Sequence, residues 1–489
     1  MDMTPNEQFA AALAQDTAAR GEALAAQPAP FAPELQQILD TLQPLDFRSL
    51  LNCKPNEKVS QKDTLVVVLR ELLNSVEAAG AGLAVLNEQP YTYNGRYWQL
   101  GNKKQIRAFL AKAAAALGID ETTASYFETR DKLYKQFQDE APLLAPSRKP
   151  GTILVNFPNG TLEILQAGRW KLRPHRRADF LTYELPYCYD PQATSCPLFT
   201  AYLNKVQPDP SAQAVLAEFV GNTLAPELNL QKALVLNGPG SNGKSVFCSI
   251  VRALLGRDMT TNISMTALTR EKFTLAGLDG KLLNVCDEGP AKMDSEIFKT
   301  IVAGEPIKVE RKHQDPYIME HYARIMFNCN QLPQDIEQSE GFFRRFLLIP
   351  FSVKIEESER DPQLAAKIIA QELPAVFNWV LAGLRRLIRA NAFTDCAAAR
   401  QALEAYRRES NSVLAFIDEY ELQPGTGQAD RWPLQQVYAR YRYYCTSCGR
   451  FAFNDKHFNR EMKAQGYPSG RDSRTSNWLA VKGFEDDPL

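Results

Sequence analysis

A glycine-rich loop between an apolar run and a helix-like segment constrains this chain more than any other feature. The loop reads Gly-Pro-Gly-Ser-Asn-Gly-Lys-Ser over 238–245 and fits G-x-x-x-x-G-K-[ST], the pattern of phosphate-binding loops. Apolar residues 234–236 predict a buried parallel strand before it, and 245–255 predict a helix after it. The glycines let successive backbone N–H groups point at one anion at the N-terminus of that helix. We therefore predict a binding site for ATP.

The predicted contacts of ATP lie in this loop and at the start of its helix. Lys244 is expected to reach the terminal phosphates and Ser245 to hold Mg²⁺. The full set of predicted nucleotide contacts is Gly238, Pro239, Gly240, Ser241, Asn242, Gly243, Lys244, Ser245 and Val246.

Two carboxylates, Asp287 and Glu288, directly follow a second apolar run at 282–286. In ATP hydrolysis one acid can hold the metal while the next orients and deprotonates the attacking water. We assign Asp287 to Mg²⁺ and Glu288 to the water. An acidic turn after a strand is common, so the assignment depends on the glycine-rich loop that precedes it.

Three further residues complete the predicted hydrolytic site. Asn330 follows a strand-like run at 324–329, and an amide at that end of a strand can contact the γ-phosphate or the water. For Asn328, in the same run, we expect a structural role rather than a contact with the nucleotide. Arg344 and Arg345 precede another apolar strand, and a guanidinium that reaches a neighbouring subunit's nucleotide neutralises charge in the transition state. This interpretation requires a ring of subunits.

At 489 residues the chain is too long for one core. We expect five segments: an Ala-rich helical segment at 1–75, an α+β leader at 76–205, an ATPase core at 206–355, a helical connector at 356–410 and a winged-helix domain at 411–489.

The net charge of −1 means that any nucleic-acid binding must come from local basic patches. Nine scattered cysteines and the lack of a signal-like or membrane-spanning run predict reduced thiols, a cytoplasmic location and no membrane partner.

The leader contains two predicted hairpins and one basic run. The hairpins are expected around Asn94-Gly95 and within 152–164. The basic run, 169–177, either binds phosphate or forms a solvated loop. A later amphipathic helix, expected over 362–390, ends in a second basic run at 385–389.

The order of these motifs resembles the superfamily 3 replicative DNA helicases. The likeness covers roughly 150–355 and includes the glycine-rich loop, the Asp-Glu strand, a segment at 304–313, the Asn330 strand and the arginine pair. It is closest to the phage-satellite and poxvirus primase-helicase branch, whose members carry a leader similar to 156–199. The resemblance implies an AAA+-like α/β core and an ATP-driven hexamer that unwinds forked DNA from 3′ to 5′. The DNA that it replicates would be a phage genome or a mobile genetic element in a bacterial host.

In that superfamily, the segment before the sensor strand forms a hairpin that enters the pore of the ring. Arg311, Lys312 and His313 resemble its tip, and a papillomavirus replicative helicase has a similar Lys-His pair there. A cationic loop repeated around a ring could bind the phosphates of one strand without regard to sequence. The alternative is an ordinary charged turn.

The last 80 or so residues predict a winged helix with three helices and a hairpin. Between 431 and 483 there are ten Lys or Arg and three acids, a net charge of +7, which indicates contact with origin duplex DNA. His457, Arg460 and Lys463 are spaced for one face of the predicted third helix, and Lys456 and Arg474 would contact phosphates. The alternative is a basic face that contacts only the adjacent subunit.

Two other functions stay open from the sequence. One is a primase-helicase, although no cluster of carboxylates with a histidine precedes residue 150, so we expect a separate primase. The other is an origin-binding initiator that uses ATP only as an assembly switch. A zinc site at Cys445 and Cys448 is disfavoured because no second ligand pair lies nearby.

Overall fold

The computed structural model describes residues 31–54, 57–142, 151–165, 168–287, 294–312, 315–330, 332, 337–472 and 476–484. The chain is a mixed α/β protein with two compact units. The N-terminal unit comprises 1–148 with 174–184, and the C-terminal unit comprises 149–173 with 185–489.

The N-terminal unit packs helices against an antiparallel sheet of strand order β1-β2-β3. Leu69, Phe109 and Phe137 are buried in its core. The Asn94 side chain accepts hydrogen bonds from the backbone N–H groups of Arg96 and Tyr97, at 3.0 and 2.9 Å. These bonds close the predicted β2–β3 hairpin. The elements are α1 Pro33–Thr41, α2 Phe47–Leu50, α3 Gln61–Ala78, β1 Gly82–Leu86, β2 Gln89–Tyr93, β3 Trp98–Leu100, α4 Lys103–Ala116, α5 Glu121–Ser125 and α6 Phe127–Glu140.

The C-terminal unit begins with a second antiparallel sheet, β4-β5-β6, followed by two helices. The predicted hairpin at 152–164 is confirmed as β4 and β5. The helix α7 has no side-chain cap of its own at Cys196; instead Glu372 accepts from the N–H groups of Leu198 and Phe199 at 2.9 and 2.8 Å. The elements are β4 Ile153–Phe157, β5 Gly160–Ile164, β6 Trp170–Arg173, α7 Pro197–Val206 and α8 Pro210–Thr223.

A parallel sheet of order β13-β7-β12-β9-β8 forms the centre of this unit. Its four longer strands are mostly apolar and buried, as expected of parallel strands covered on both faces. Val235, Phe327 and Leu348 pair across three of them and are buried. The elements are β7 Ala233–Asn237, α9 Lys244–Leu255, β8 Thr260–Thr261, α10 Met265–Arg270, β9 Leu283–Cys286, α11 Ser295–Ala303, β10 Ile307–Val309, β11 Tyr317–Met319, β12 Arg324–Cys329, α12 Glu340–Phe343 and β13 Phe346–Pro350.

A long helix, α13 Leu364–Ala390, packs along α8, and α14 Ala397–Ser410 follows it. Two glycines allow the close approach of α13 to α8, because a Cβ on Gly221 or on Gly383 would lie within 2.8 Å of the opposite helix. By length and apolar composition alone, the segment 357–390 could cross a membrane. In this structure its residues Val376, Val380 and Leu384 are buried in the core.

The chain ends in three helices and a small antiparallel sheet. Phe416, Tyr441 and Phe458 meet in its core, with ring centroids 4.6 Å apart for Tyr441 and Phe458. Strands β15 and β16 both pair with β17. The elements are α15 Ser412–Glu419, β14 Gln423–Pro424, β15 Arg431–Pro433, α16 Leu434–Ser447, α17 Asp455–Ala464, β16 Ser469–Asp472 and β17 Ser476–Lys482.

The compact units divide the predicted leader at points that the sequence did not indicate. The stretch 149–173 belongs with the parallel sheet, while 174–184 returns to the N-terminal unit, where Phe180 packs on Trp98. Residues 1–30 of the predicted Ala-rich segment lie outside the described residues, as do Glu288, His313 and Arg474.

Candidate functional site

The glycine-rich loop connects β7 to α9, and its shape requires glycine at both ends. Gly243 has a φ of 85°, a left-handed backbone that favours glycine. A Cβ there would lie 2.7 Å from Val206 Cγ1, and a Cβ on Gly238 would lie 2.1 Å from the carbonyl oxygen of Phe351. The helix α7 also contacts the loop, since the Tyr202 hydroxyl donates to Gly243 O at 2.8 Å. The loop is therefore held by two neighbouring segments of the chain.

Lys244 points into the loop, where three oxygens bind its amine. Its Nζ donates to Gly238 O at 2.6 Å and to the amide oxygens of Asn242 and Asn330, each at 3.1 Å. Only 4% of the residue is exposed, and this burial lowers the pKa of the amine. A buried ammonium bound only by neutral oxygens would interact more strongly with an anion.

Strand β12 brings two asparagines to the carboxyl edge of the sheet. It lies between β7, which leads into the loop, and β9, which leads to Asp287. Asn330 follows β12 and contacts Lys244, while Asn328 Nδ2 donates to Asp287 Oδ1 at 3.3 Å. Lys244, Asp287 and Asn330 thus lie along one edge. Asn328, the structural alternative in the sequence analysis, contacts the acid directly.

Two residues that the sequence analysis missed also hold Asp287. Arg252 Nη2 lies 3.2 Å from Asp287 Oδ2, and Asn262 Nδ2 donates to the same oxygen at 2.9 Å. Arg252 lies seven residues after Ser245 in α9, and that spacing places two residues on one helix face. This periodicity was the signal that could have identified Arg252; the loop that carries Asn262 gave none.

The donor set at this edge suits Mg²⁺ bound together with a nucleotide. Asp287 offers a carboxylate that three neighbours orient, and Ser245 offers an exposed hydroxyl in the first turn of α9. Magnesium typically takes one or two such protein oxygens and completes its shell with water and phosphate. Among the residues that the structure describes, no cluster of three His, Cys, Asp or Glu side chains could hold a metal without such a ligand.

The structure gives the two predicted arginines different environments. Arg344 is exposed. Arg345 is 9% exposed, and its guanidinium donates to the carbonyl oxygens of Lys299, at 3.3 Å, and of Gly341. Arg345 is therefore bound to backbone oxygens of its own chain, whereas the Arg344 side chain faces solvent.

The predicted hairpin is present as β10 and β11, which pair in antiparallel register. Arg311 does not extend from it freely, because its guanidinium lies 2.7 Å from Asp279 Oδ2, which also accepts from the Tyr317 hydroxyl at 2.7 Å. Lys312 and Ile318 are exposed. Of the predicted tip residues, Lys312 is the described one that presents its charge to solvent.

Helix α17, the predicted third helix of this region, presents exposed basic side chains. Lys456, Arg460 and Lys463 are exposed. The imidazole of His457 instead stacks on Phe453, with ring centroids 4.2 Å apart and planes at 7°, and lies 3.4 Å from Glu461. On the predicted face of His457, Arg460 and Lys463, the two basic side chains are exposed while the His457 ring is partly covered by Phe453; DNA binding by this face stays a prediction.

Comparison with known proteins finds similarity to two protein families and to one viral protein. Residues 86–208 match a family described as D5 N terminal like, and residues 236–345 match a family of unknown function (DUF5906). Over 219 residues, 42% of this chain, the sequence is 26% identical to a candidate helicase of Acanthamoeba polyphaga mimivirus. The chain thus contains a segment similar to the D5 N-terminal family and a segment similar to part of a viral helicase candidate. The aligned part is 22% of the length of the mimivirus protein.

Solved structures of the NrS-1 C-terminal region are similar to this chain at low identity. One apo structure is 13% identical with a TM-score of 0.46, covering 85% of this chain and 99% of that chain. An A-form apo structure is also 13% identical, with a TM-score of 0.45, and covers 71% and 76%.

Proposed function

We propose that this D5-like chain is an ATP-dependent replicative DNA helicase that acts as a ring of identical subunits. The observation that carries the proposal is the convergence of Lys244, Asn330, Asn328 and Asp287 at one edge of the parallel sheet. These groups join a glycine-rich loop to an acid through a strand between them. The relationship to D5-like helicases and primases supports a role in replication.

The proposed ATPase core is a P-loop domain of the AAA+-like superfamily 3 type. The loop N–H groups and Lys244 would bind the phosphates of ATP, and Asn330 would contact the γ-phosphate or the water. Ser245 and Asp287 would hold Mg²⁺, which neutralises phosphate charge when bound. Glu288, next in the chain after Asp287, would accept a proton from the attacking water.

Hydrolysis between subunits would require a cation from the neighbour. We assign this role to Arg344, because it is exposed whereas Arg345 is bound to backbone carbonyl oxygens. A guanidinium supplied in this way increases phosphoryl-transfer rates by about 10³–10⁵ in enzymes that use one.

The β10–β11 hairpin would contact single-stranded DNA through Lys312, repeated around a hexamer. Asp279 contacts Arg311 and Tyr317 at the turn end of the hairpin, which would hold the neighbouring Lys312 in position for the strand. By family resemblance the direction is 3′ to 5′. The basic C-terminal region would be a winged helix that binds origin duplex DNA through α17.

The proposal places the protein in the cytoplasm of a bacterial host, where it would replicate a phage or mobile element and depend on a separate primase. Synthesis of oligonucleotides on a single-stranded template by the purified chain would contradict the separation of the two activities and favour a primase-helicase.

The experiment that tests the proposal is unwinding of a forked duplex by the purified protein with ATP and Mg²⁺. Lys244→Ala should abolish hydrolysis and unwinding together, since the phosphates lose their buried cation. Lys312→Ala should retain hydrolysis and lose unwinding. Lys205→Ala is the matched control, because Lys205 is an exposed lysine that pairs with the exposed Glu359. This variant should unwind the fork normally.

Two results would contradict the motor. Hydrolysis without strand separation on any fork or origin duplex would favour the ATP-switched initiator. The same conclusion would follow if Glu288→Gln lost hydrolysis yet still supported replication of an origin plasmid.

A further inference from the structure

A second site lies away from the glycine-rich loop, where the two basic runs of the sequence meet. A cavity of about 520 Å³ is lined by Trp170, Tyr189, Asn378, Arg385, Arg386 and Arg389, among other residues. Its volume is in the range of about 300–1,000 Å³ that small-ligand pockets span. The run at 169–177 supplies Trp170 and the end of α13 supplies the three arginines, so residues more than 200 positions apart in sequence bring aromatic and basic side chains to one cavity.

The three arginines are not equivalent. Arg386 is neutralised, because its Nε lies 3.0 Å from Glu218 Oε1 and Glu218 is buried. Arg385 and Arg389 have no carboxylate within ion-pair distance among the residues that the structure describes. Both lie against Gly168, where a Cβ would be 2.9 Å from Arg385 Cγ and 3.7 Å from Arg389 Nε. Two guanidinium groups are thus held at the cavity without a protein anion.

The aromatic side of the cavity is well fixed. Trp170 lies in β6, paired with Ile164, and the Arg385 guanidinium lies over its ring at 5.6 Å from the centroid. Tyr189 is 5% exposed and packs on Phe157 and Phe377. Nucleic-acid bases stack on aromatic rings and on the planes of arginine side chains, and phosphates bind unpaired guanidinium groups.

We propose that this cavity binds one nucleotide unit, with its base against Trp170 and its phosphate on Arg385 and Arg389. The unit could belong to a single strand or be a free nucleotide, since both present the same base and phosphate. The proposal does not depend on ATP hydrolysis at the loop. It goes beyond the pore hairpin and α17, neither of which contributes to the cavity.

Two features of the neighbourhood bear on the inference. The C-terminal dipole of α13 favours arginine in its last turn, so charge alone would not indicate a ligand; the cavity and the fixed rings do. Asp190 is exposed near Tyr189, but its carboxylate accepts from the Gln192 N–H at 2.8 Å and forms no ion pair with the arginines in the described part of the chain. A phosphate is thus the anion that the site lacks.

The test is photocrosslinking of the full chain to a short oligo(dT) that contains one 5-iododeoxyuridine, without ATP. We expect a crosslink on Trp170, located by mass spectrometry. Affinity for oligo(dT), measured by fluorescence anisotropy over a salt series, should depend less on salt in the double variant Arg385→Gln, Arg389→Gln. Each phosphate contact on single-stranded DNA contributes about 0.7 to the slope of log K against log salt, so the slope should fall by about 1.4.

The matched control is Lys205→Gln with Lys367→Gln, which removes the same charge from two exposed lysines of the same unit. It should leave the slope and the crosslink unchanged. Equal thermal midpoints for both double variants establish that folding is intact. If unlabelled oligo(dT) reduces the crosslink and dTTP does not, the ligand is a strand. If dTTP at similar concentration also reduces the crosslink, the site takes a free nucleotide. No crosslink in these segments, with equal slopes in the two variants, would overturn the proposal.

Discussion

Lys244 is the residue on which the candidate ATP site most depends, and its environment is unfavourable for a cation. It is nearly fully buried, yet its amine contacts only carbonyl and amide oxygens. Burial lowers its pKa from the ordinary lysine value of 10.5. Phosphate in place of these neutral oxygens would stabilise the charged amine and raise that pKa again.

This difference predicts proton uptake when a nucleotide binds. Between the lowered pKa of free Lys244 and its higher value in the complex, the free protein has lost a proton that the complex holds. Nucleotide affinity should therefore fall as the pH rises through that range, which begins below 10.5. Calorimetry in buffers of different ionisation enthalpy measures the uptake. A heat that does not depend on the buffer at any pH up to 10 would contradict it.

The structure changed the interpretation of several single residues. Arg344 and Arg345 are adjacent and identical in sequence, and only burial separates the exposed one from the one bound to carbonyl oxygens. The sequence predicts Arg311 as a free cation, whereas in the structure it pairs with Asp279, 32 positions earlier. Local sequence contains no information about such distant partners.

At the scale of elements, helices α8 and α13 of the C-terminal unit cross at very short distance. A Cβ on Gly383 would lie 2.6 Å from the backbone of Ala217 and 2.7 Å from its Cβ. Such contacts force the two helices apart, and overpacking of a core typically costs about 1–3 kcal/mol.

Gly383→Ala should therefore lower the free energy of unfolding, although glycine to alanine within a helix ordinarily gains about 0.5–1 kcal/mol. The sign of the change, measured by urea denaturation, tests the close crossing. Adding Ala217→Gly should recover only part of the loss, because the Ala217 backbone lies as close as its Cβ. A stabilised Gly383→Ala variant would be inconsistent with this packing.

Helix α17 gives the corresponding prediction for duplex DNA. Alanine at Lys456, Arg460 or Lys463 should weaken binding to all duplex sequences and reduce the salt slope by about 0.9 per contact. His457→Phe is the comparison, and it should bind nearly normally because the ring stacks on Phe453. If His457→Phe weakened binding as much as Lys456→Ala, the histidine would face DNA after all.

The presence of α17 was predictable from the sequence, but the stacking of His457 on Phe453 was not. Phe458 and Met462 are four residues apart and fully buried, so they define the inward face and bring His457 to its margin. The hydrophobic pattern indicates that placement. By contrast, the order of the parallel strands, which places Asn330 beside Lys244, depends on pairing between distant segments, and no local pattern specifies it.

At the scale of the whole molecule, the proposed site is complete only when two subunits meet. A mixture of Lys244→Ala and Arg344→Ala subunits should regain part of the ATPase activity that neither variant has alone. In a mixed ring, some interfaces combine an intact Lys244 with an intact Arg344 from the neighbour. Steady-state hydrolysis across mixing ratios measures this effect. If the mixture is as inactive as its components, Arg344 does not act between subunits.

The carboxylate of Glu372 has a consequence for how distant ligands affect each other. It fixes the start of α7 from α13, while Tyr202 of the same α7 binds the glycine-rich loop. Both the loop and the arginines near the end of α13 are thus connected through one short helix. If a nucleotide at the loop changes strand affinity at those arginines, reciprocity requires the strand to change nucleotide affinity by an equal factor. Glu372→Gln should bring that factor closer to one.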